Sequence, residues 1–398
     1  MSNPATTVRP HKPGRQFFSN PGPTNIPDSV LRAMSRATVD FNDPEFMDVY
    51  QGAMAGLKRV LQTTGELFFY TASGHGAWEA TLVNLLSPGD GVLVIETGYF
   101  SEAWAAMARD LGLVPQVLAA DWRRGADLGA IEAALRADTA GTIKAVLAVH
   151  NETATGMTLP LPDLRAALDR TGHAALLLVD TISSLGSMAF EMDAWGIDGV
   201  VGGSQKGLML PTGFSFTAVS PKGMAAHATA TLPRSYFNWR EMVKRPHRSF
   251  VGTVPVSLFY GLAESIRLIE AETLDGLVTR HARLAEATRR AVRAWSGNAG
   301  PQLFGLDPAR LSDSVTAVLM PEGQDADAVR KTALDRFNVS LGGGLGRLGG
   351  KVFRIGHLGD LNEPMILGTL GAIEMSLRIN AIPHASGGVD AAMDYLAA

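Results

Sequence analysis

The chain has 398 residues, a formal net charge of −4 and no cysteine. That length supports two or three domains, and the charge offers no electrostatic case for nucleic acid or an anionic membrane surface. The lack of cysteine excludes disulfides, thiolate nucleophiles and cysteine–metal sites together, which fits a reducing compartment.

Met1 to Gln16 are polar, hold three prolines and lack the apolar stretch of a secretory signal. No apolar run reaches membrane-spanning length, so a cytoplasmic protein is expected. Residues 1–25 read as an N-terminal segment ending in Pro21-Gly22-Pro23-Thr24-Asn25. Beyond it, from about residue 65 to 220, apolar or β-branched runs alternate with longer helical patterns. The predicted strands are Leu67–Thr71, Val92–Glu96, Pro115–Leu118, Lys144–Val149, Ala175–Asp180, Gly199–Gly203 and Phe214–Val219. Amphipathic stretches such as Trp78–Leu86 and Asp163–Arg170 lie between them. Strands that are apolar almost throughout, each followed by a helix, describe an α/β domain (26–260) whose mostly parallel sheet is covered by helices. Such sheets place ligands at the carboxyl ends of their strands.

After Thr253-Val254-Pro255 the pattern changes. One long helical run is expected over Val256–Trp295, then Ser314–Leu319, Val329–Phe337 and Val352–Ile355, and a final helix around Pro364–Ile379. Residues 261–398 therefore read as a smaller C-terminal α+β domain. Gly344-Leu345-Gly346-Arg347-Leu348-Gly349 spells a dinucleotide fingerprint, but it precedes a strand and is read as a flexible loop. Gly202-Gly203-Ser204-Gln205-Lys206 falls one residue short of a hydrolase elbow. The histidines form no H-E-x-x-H pair, so no metal is expected. Lys244-Arg245-Pro246-His247-Arg248 reads as a solvated or site-covering loop.

Polar residues stand at several strand ends. Asp180 closes an apolar strand, and a buried aspartate needs a partner: either the following turn, or a protonated pyridine nitrogen. Lys206 follows the next strand between Gln205 and Gly207. An isolated lysine there would be solvated, whereas one that forms a Schiff base must be desolvated to lose its proton near neutrality. Thr71-Ala72-Ser73-Gly74-His75-Gly76 joins a strand to a helix and can be either an ordinary cap or a phosphate cradle. His150-Asn151-Glu152-Thr153-Ala154-Thr155-Gly156 closes another strand with hydrogen-bonding side chains, and Phe100 follows a third. That ring could stack on a flat ligand or fill core.

Taken together, Asp180, Lys206, the Ser-Gly-His-Gly turn and the opening Pro-Gly-Pro-Thr-Asn resemble the class V aminotransferases of pyridoxal-phosphate fold type I. Within that family the chain looks most like the serine–glyoxylate and alanine–glyoxylate enzymes. The resemblance implies pyridoxal 5'-phosphate as cofactor, small amino acid and 2-oxo acid substrates, and a homodimer with shared sites. It implies that Lys206 holds the cofactor and moves the substrate proton, while Asp180 pairs with the pyridine nitrogen. Phe100 would stack on the ring and Thr153 would face its phenolic oxygen. Ser73, Gly74, His75 and Gln205 would lie around phosphate or ring, and Thr253 would reach the neighbouring subunit's phosphate. Arg354 would grip the substrate carboxylate, with Gly22 and Asn25 nearby. Two departures concern donor choice. The family usually has His-Arg in the stretch Asp40-Phe41-Asn42-Asp43-Pro44, and often a tyrosine near Phe250. Other amino donors such as aspartate or pyridoxamine stay open, as does lyase chemistry, although a cysteine desulfurase would need the cysteine this chain lacks.

Overall fold

The computed structural model describes residues 13–244, 250 and 252–398. A seven-stranded sheet forms its larger layer. The spatial order is Glu66–Tyr70, Ser215–Val219, Gly199–Gly203, Leu176–Asp180, Ile143–Val149, Gly91–Glu96 and Val114–Ala119. Ser215–Val219 runs antiparallel to both neighbours, and the remaining pairs are parallel. Leu176–Asp180, Gly199–Gly203 and Ser215–Val219 are buried at every residue, as strands covered on both faces must be. The strands anticipated in this part of the chain appear with ends displaced by no more than one residue.

A second sheet of five strands is ordered Phe17–Ser19, Val339–Gly343, Val352–Gly356, Val315–Leu319 and Gln302–Leu303. Its first strand pairs in parallel with Val339–Gly343, so part of the N-terminal segment is built into the smaller sheet. Three residues are too few to show a period, which is why this strand escapes a reading by pattern. The helical run expected over Val256–Trp295 is two helices, Val256–Glu272 and Leu274–Trp295. Thr273 breaks it at φ 69°, and its hydroxyl accepts from Gly276 N at 3.1 Å as the cap of the second helix. Nor is Glu363–Ile379 the last helix, because Gly388–Ala397 follows and packs against Leu274–Trp295. The loop expected to be flexible at 344–349 contains a 3₁₀ turn, Gly346–Leu348. Its Arg347 lies 3.4 Å from the Trp122 ring centroid and donates to Glu96 at 3.1 Å. Apart from Lys244, the basic run at 244–248 lies outside the described residues. Among the described residues, no helix is long and apolar enough to cross a membrane.

Helix Val256–Glu272 packs on Asp28–Met34 and Pro44–Leu61, and these helices cover one face of the large sheet. Phe259 is their aromatic hub, with ring centroids 4.7 Å from Tyr50, 5.4 Å from Phe69 and 5.2 Å from Phe214. Phe250 joins the same cluster, stacked on Phe214 at 6.5 Å. Truncating Phe259 to alanine removes that hub from a fully buried position. The expected loss is about 3–5 kcal/mol of stability, read as a lower urea midpoint at unchanged slope.

Candidate active site

Five strand ends point their connections at one cavity of about 300 Å³. Ser73, Gly74 and His75 come from the turn after Glu66–Tyr70, and Phe100 from that after Gly91–Glu96. Thr153 follows Ile143–Val149, Asp180 ends Leu176–Asp180, and Gln205 and Lys206 follow Gly199–Gly203. Gly22 closes the cavity from the N-terminal segment. Nine residues singled out from the sequence therefore meet in one place.

Three do not line it. Asn25 uses its amide N–H on Phe18 O at 3.1 Å. Thr253 is exposed on the surface. Arg354 lies behind Thr153, donating from Nη1 to Thr153 O at 3.0 Å and from Nε to Gly343 O at 2.7 Å. It is only 7% exposed, and among the described residues no ion pair engages it. The two departures from the family pattern are also off the cavity wall. Phe250 is core, and Asn42 donates from its backbone and side-chain nitrogens to Asp40 Oδ1 at 2.7 and 3.1 Å.

Lys206 is 8% exposed, and its amine donates to Pro21 O. Burial, reinforced by the Arg354 charge and opposed by Asp180, pulls its pKa down to about 7. Gly22 is required beside it. A Cβ there would stand 2.1 Å from Lys206 Nζ, at a φ of +115° that side chains rarely adopt. Thr24 straps the same loop from the backbone, its N–H donating to Gln205 O at 3.1 Å and its hydroxyl to Lys206 O at 3.0 Å.

Asp180 accepts from Ile182 N at 2.7 Å on Oδ1 and from Trp78 Nε1 at 2.8 Å on Oδ2. Burial pushes its pKa up to about 6, against these donors and the nearby Lys206. Helix Gly74–Leu85 begins with Ser73 in the cap position, yet the Ser73 hydroxyl makes no capping bond, which leaves it free to meet a ligand. Thr153 donates its hydroxyl to Ser183 Oγ at 2.8 Å.

Sequence reasoning assigned no role to Trp78, Asn151, Ser183 or Glu152. Trp78, Asn151 and Ser183 line the cavity. Trp78 had a signal: it stands one turn after Gly74-His75 on a helix whose first turn faces the site. Glu152 is fully buried and accepts from Phe100 N at 3.1 Å, Ser101 N at 3.2 Å and Ala154 N at 3.1 Å. It thereby caps the helix that carries Phe100, where Gly98 has no side chain to do so. Burial raises its pKa to about 7.

The family profile for class-V aminotransferases matches residues 16–346. The serine–glyoxylate aminotransferase of Methylorubrum extorquens is 45% identical over 393 residues, 97% of each chain. The L-aspartate–glyoxylate aminotransferase of Paracoccus denitrificans is 43% identical over 378 residues, 94% of each. Among solved structures, the ureidoglycine–glyoxylate aminotransferase of Bacillus subtilis superposes with a TM-score of 0.88 at 26% identity. That match covers 98% of this chain and 100% of the other.

An amine with a pKa of about 7 is half deprotonated at that pH, and its nucleophilic fraction grows as pH rises. Labelling of the unliganded protein by a small aldehyde and borohydride should therefore tag Lys206 half-maximally near pH 7. Solvent-exposed lysines should follow only above about pH 9. Peptide mapping of the tag across pH measures both, and Gly22→Ala should suppress the Lys206 tag alone.

Proposed function

The chain belongs to the class-V aminotransferase family, and from that premise we propose that it binds pyridoxal 5'-phosphate on Lys206 and transfers an amino group from a small amino acid to glyoxylate or pyruvate. The observation that carries this reading is the meeting, in one cavity, of a buried amine of depressed pKa with a buried carboxylate of raised pKa. The residues fit the cofactor group by group. Lys206 suits its aldehyde, Asp180 its ring nitrogen, and the uncapped helix start at Ser73-Gly74-His75 its phosphate. Among the described residues, Gln205 Oε1 and Asn151 Oδ1 are buried without hydrogen-bond partners, which also favours a polar occupant. Phe100 supplies an apolar wall for a flat ring, with Thr153 at its edge.

When bound, the cofactor supplies an aldehyde for the incoming amine and a ring that takes up the charge left when the α-proton departs. Asp180 keeps that ring cationic by offering a fixed anion to its nitrogen. Lys206 would hold the cofactor, and its amine is positioned to carry the proton away from the substrate α-carbon as a general base and to return it as a general acid. Arg354 holds the carboxylate common to donor and acceptor: its planar fork matches a carboxylate, and the carbonyls it now binds leave donors to spare. Gly22 borders the cavity, and Asn25, off its wall, holds the same segment through its bond to Phe18 O, so its part in substrate binding is indirect. Thr253, exposed on this protomer, is assigned to the phosphate of a neighbouring one, so the working unit is a homodimer. The amino donor is a small amino acid such as serine or alanine. Aspartate is the second reading, favoured by the relative from Paracoccus denitrificans.

Lys206→Ala should retain the cofactor by non-covalent contacts and lose transfer, read as absent glycine formation from glyoxylate. Arg354→Lys breaks a bidentate charged pair worth about 2–3 kcal/mol. Its KM for donor and acceptor alike should rise by roughly 30- to 150-fold. Initial rates with a panel of donors against glyoxylate should give parallel double-reciprocal lines, the sign of two half-reactions. A donor that turns over without an acceptor would instead mark a lyase.

A further inference from the structure

We propose that Trp78 is a positioning residue for amino transfer: its indole N–H, 2.8 Å from Asp180 Oδ2, fixes the angle of the carboxylate that faces the cofactor's ring nitrogen without bringing a positive charge of its own. This deepens the reading given under Proposed function and rests on it. Asp180 makes one bond to the local backbone, from Ile182 N to Oδ1. A single such bond leaves the carboxylate free to turn about its own axis. A second donor on the other oxygen removes that freedom.

The donor is itself immobile. Trp78 is fully buried, and its ring stacks on Trp104 with centroids 5.5 Å apart and planes 14° from parallel. It rides on the helix that opens with Gly74 and His75, so one rigid element sets both the phosphate cradle and the orientation of the ring-nitrogen partner. Those are the two ends of one flat ligand.

The chemistry of the donor matters as much as its place. An arginine or lysine here would pair with Asp180 and compete with the cationic ring. An indole N–H donates, accepts nothing and does not titrate. It favours the ionised carboxylate against burial while leaving the full charge for the ligand. The charged groups acting on the Asp180–Glu152 region are Lys206, which favours the Asp180 anion, Glu152, which is repelled by it, and Arg354, which is attracted to Glu152 and repels Lys206.

Trp78→Phe keeps an aromatic ring in the stack and deletes only the N–H. Cofactor affinity of the unliganded protein, read by absorbance titration, should weaken about ten-fold. In steady state kcat should fall while KM for both substrates stays within about two-fold, because Arg354 is untouched. In an Asp180→Ala background the same substitution should cost no further affinity, since the N–H then has nothing to hold. Equal affinity for wild type and Trp78→Phe, or additive losses in that cycle, would overturn the proposal. If Trp78→Phe fails to fold, the wild type still answers. Of the six indole ¹⁵N–¹H resonances, one should move upfield in Asp180→Ala, and an unchanged spectrum sinks the idea. Failure of the wild type to take up pyridoxal phosphate is a separate result and refutes the underlying function instead.

Discussion

Burying an amine and a carboxylate at the ends of neighbouring strands is expensive, because each loses its hydration and neither is repaid in full by the other. Lys206 and Asp180 bear that cost in the unliganded fold, and the opposite shifts of their pKa values, both set first by burial, are its signature. The surrounding structure is arranged to hold this unfavourable pair in place. Asp180 is gripped from two sides, by Ile182 N and Trp78 Nε1. Lys206 is tied through its amine to Pro21 and through its backbone to Thr24. Such supported strain is what a site gains from, since a cationic ring with an aldehyde would relieve both groups at once.

The sheet makes the arrangement possible. Parallel strands deliver successive connections to the same edge, so residues far apart in sequence arrive within one cavity. The one antiparallel strand, Ser215–Val219, adds no residue of its own to that edge; it pairs Gly199–Gly203 on one side and Glu66–Tyr70 on the other. Lys206 and the cradle turn are thereby set two strands apart, with Phe216 packed over Gly202 between them.

How much of this could be read from the sequence depends on how local the cause is. The buried strands were plain, because continuous apolar runs bounded by glycine and polar turns have few other uses. Asp180, Lys206 and Ser73-Gly74-His75 draw notice as polar groups at the ends of such runs, but taken singly each also reads as a turn partner, a solvated lysine or an ordinary cap, and only their combination resembles a family pattern. Trp78 was not plain, because a tryptophan inside an apolar helix reads as core, and only its three-dimensional neighbour shows that its N–H is used. Glu152 was hidden differently. Its partners Phe100 and Ser101 belong to another helix about fifty residues away, and the missing cap at Gly98 does not by itself say what replaces it. The break at Thr273 failed for want of a backbone clue, since threonine seldom takes positive φ.

The N-terminal segment shows the furthest reach of this logic. Phe17–Ser19 is hydrogen-bonded as a strand to Val339–Gly343, whose other neighbour is the strand carrying Arg354. A few residues on, Pro21 and Thr24 hold the Lys206 loop. The contact between them is close: a Cβ on Gly356 would fall 2.2 Å from Asn20 O, and one on Gly342 2.8 Å from Pro21 Cδ. These eight residues touch the lysine at one end and the arginine's sheet at the other, and they act beside direct ties between the two parts such as Asn151 to Ser314 Oγ and Arg354 to Thr153 O. A segment with almost no core of its own in this way links Lys206 to the sheet that carries Arg354, and its prolines and glycine serve that link by fixing its course.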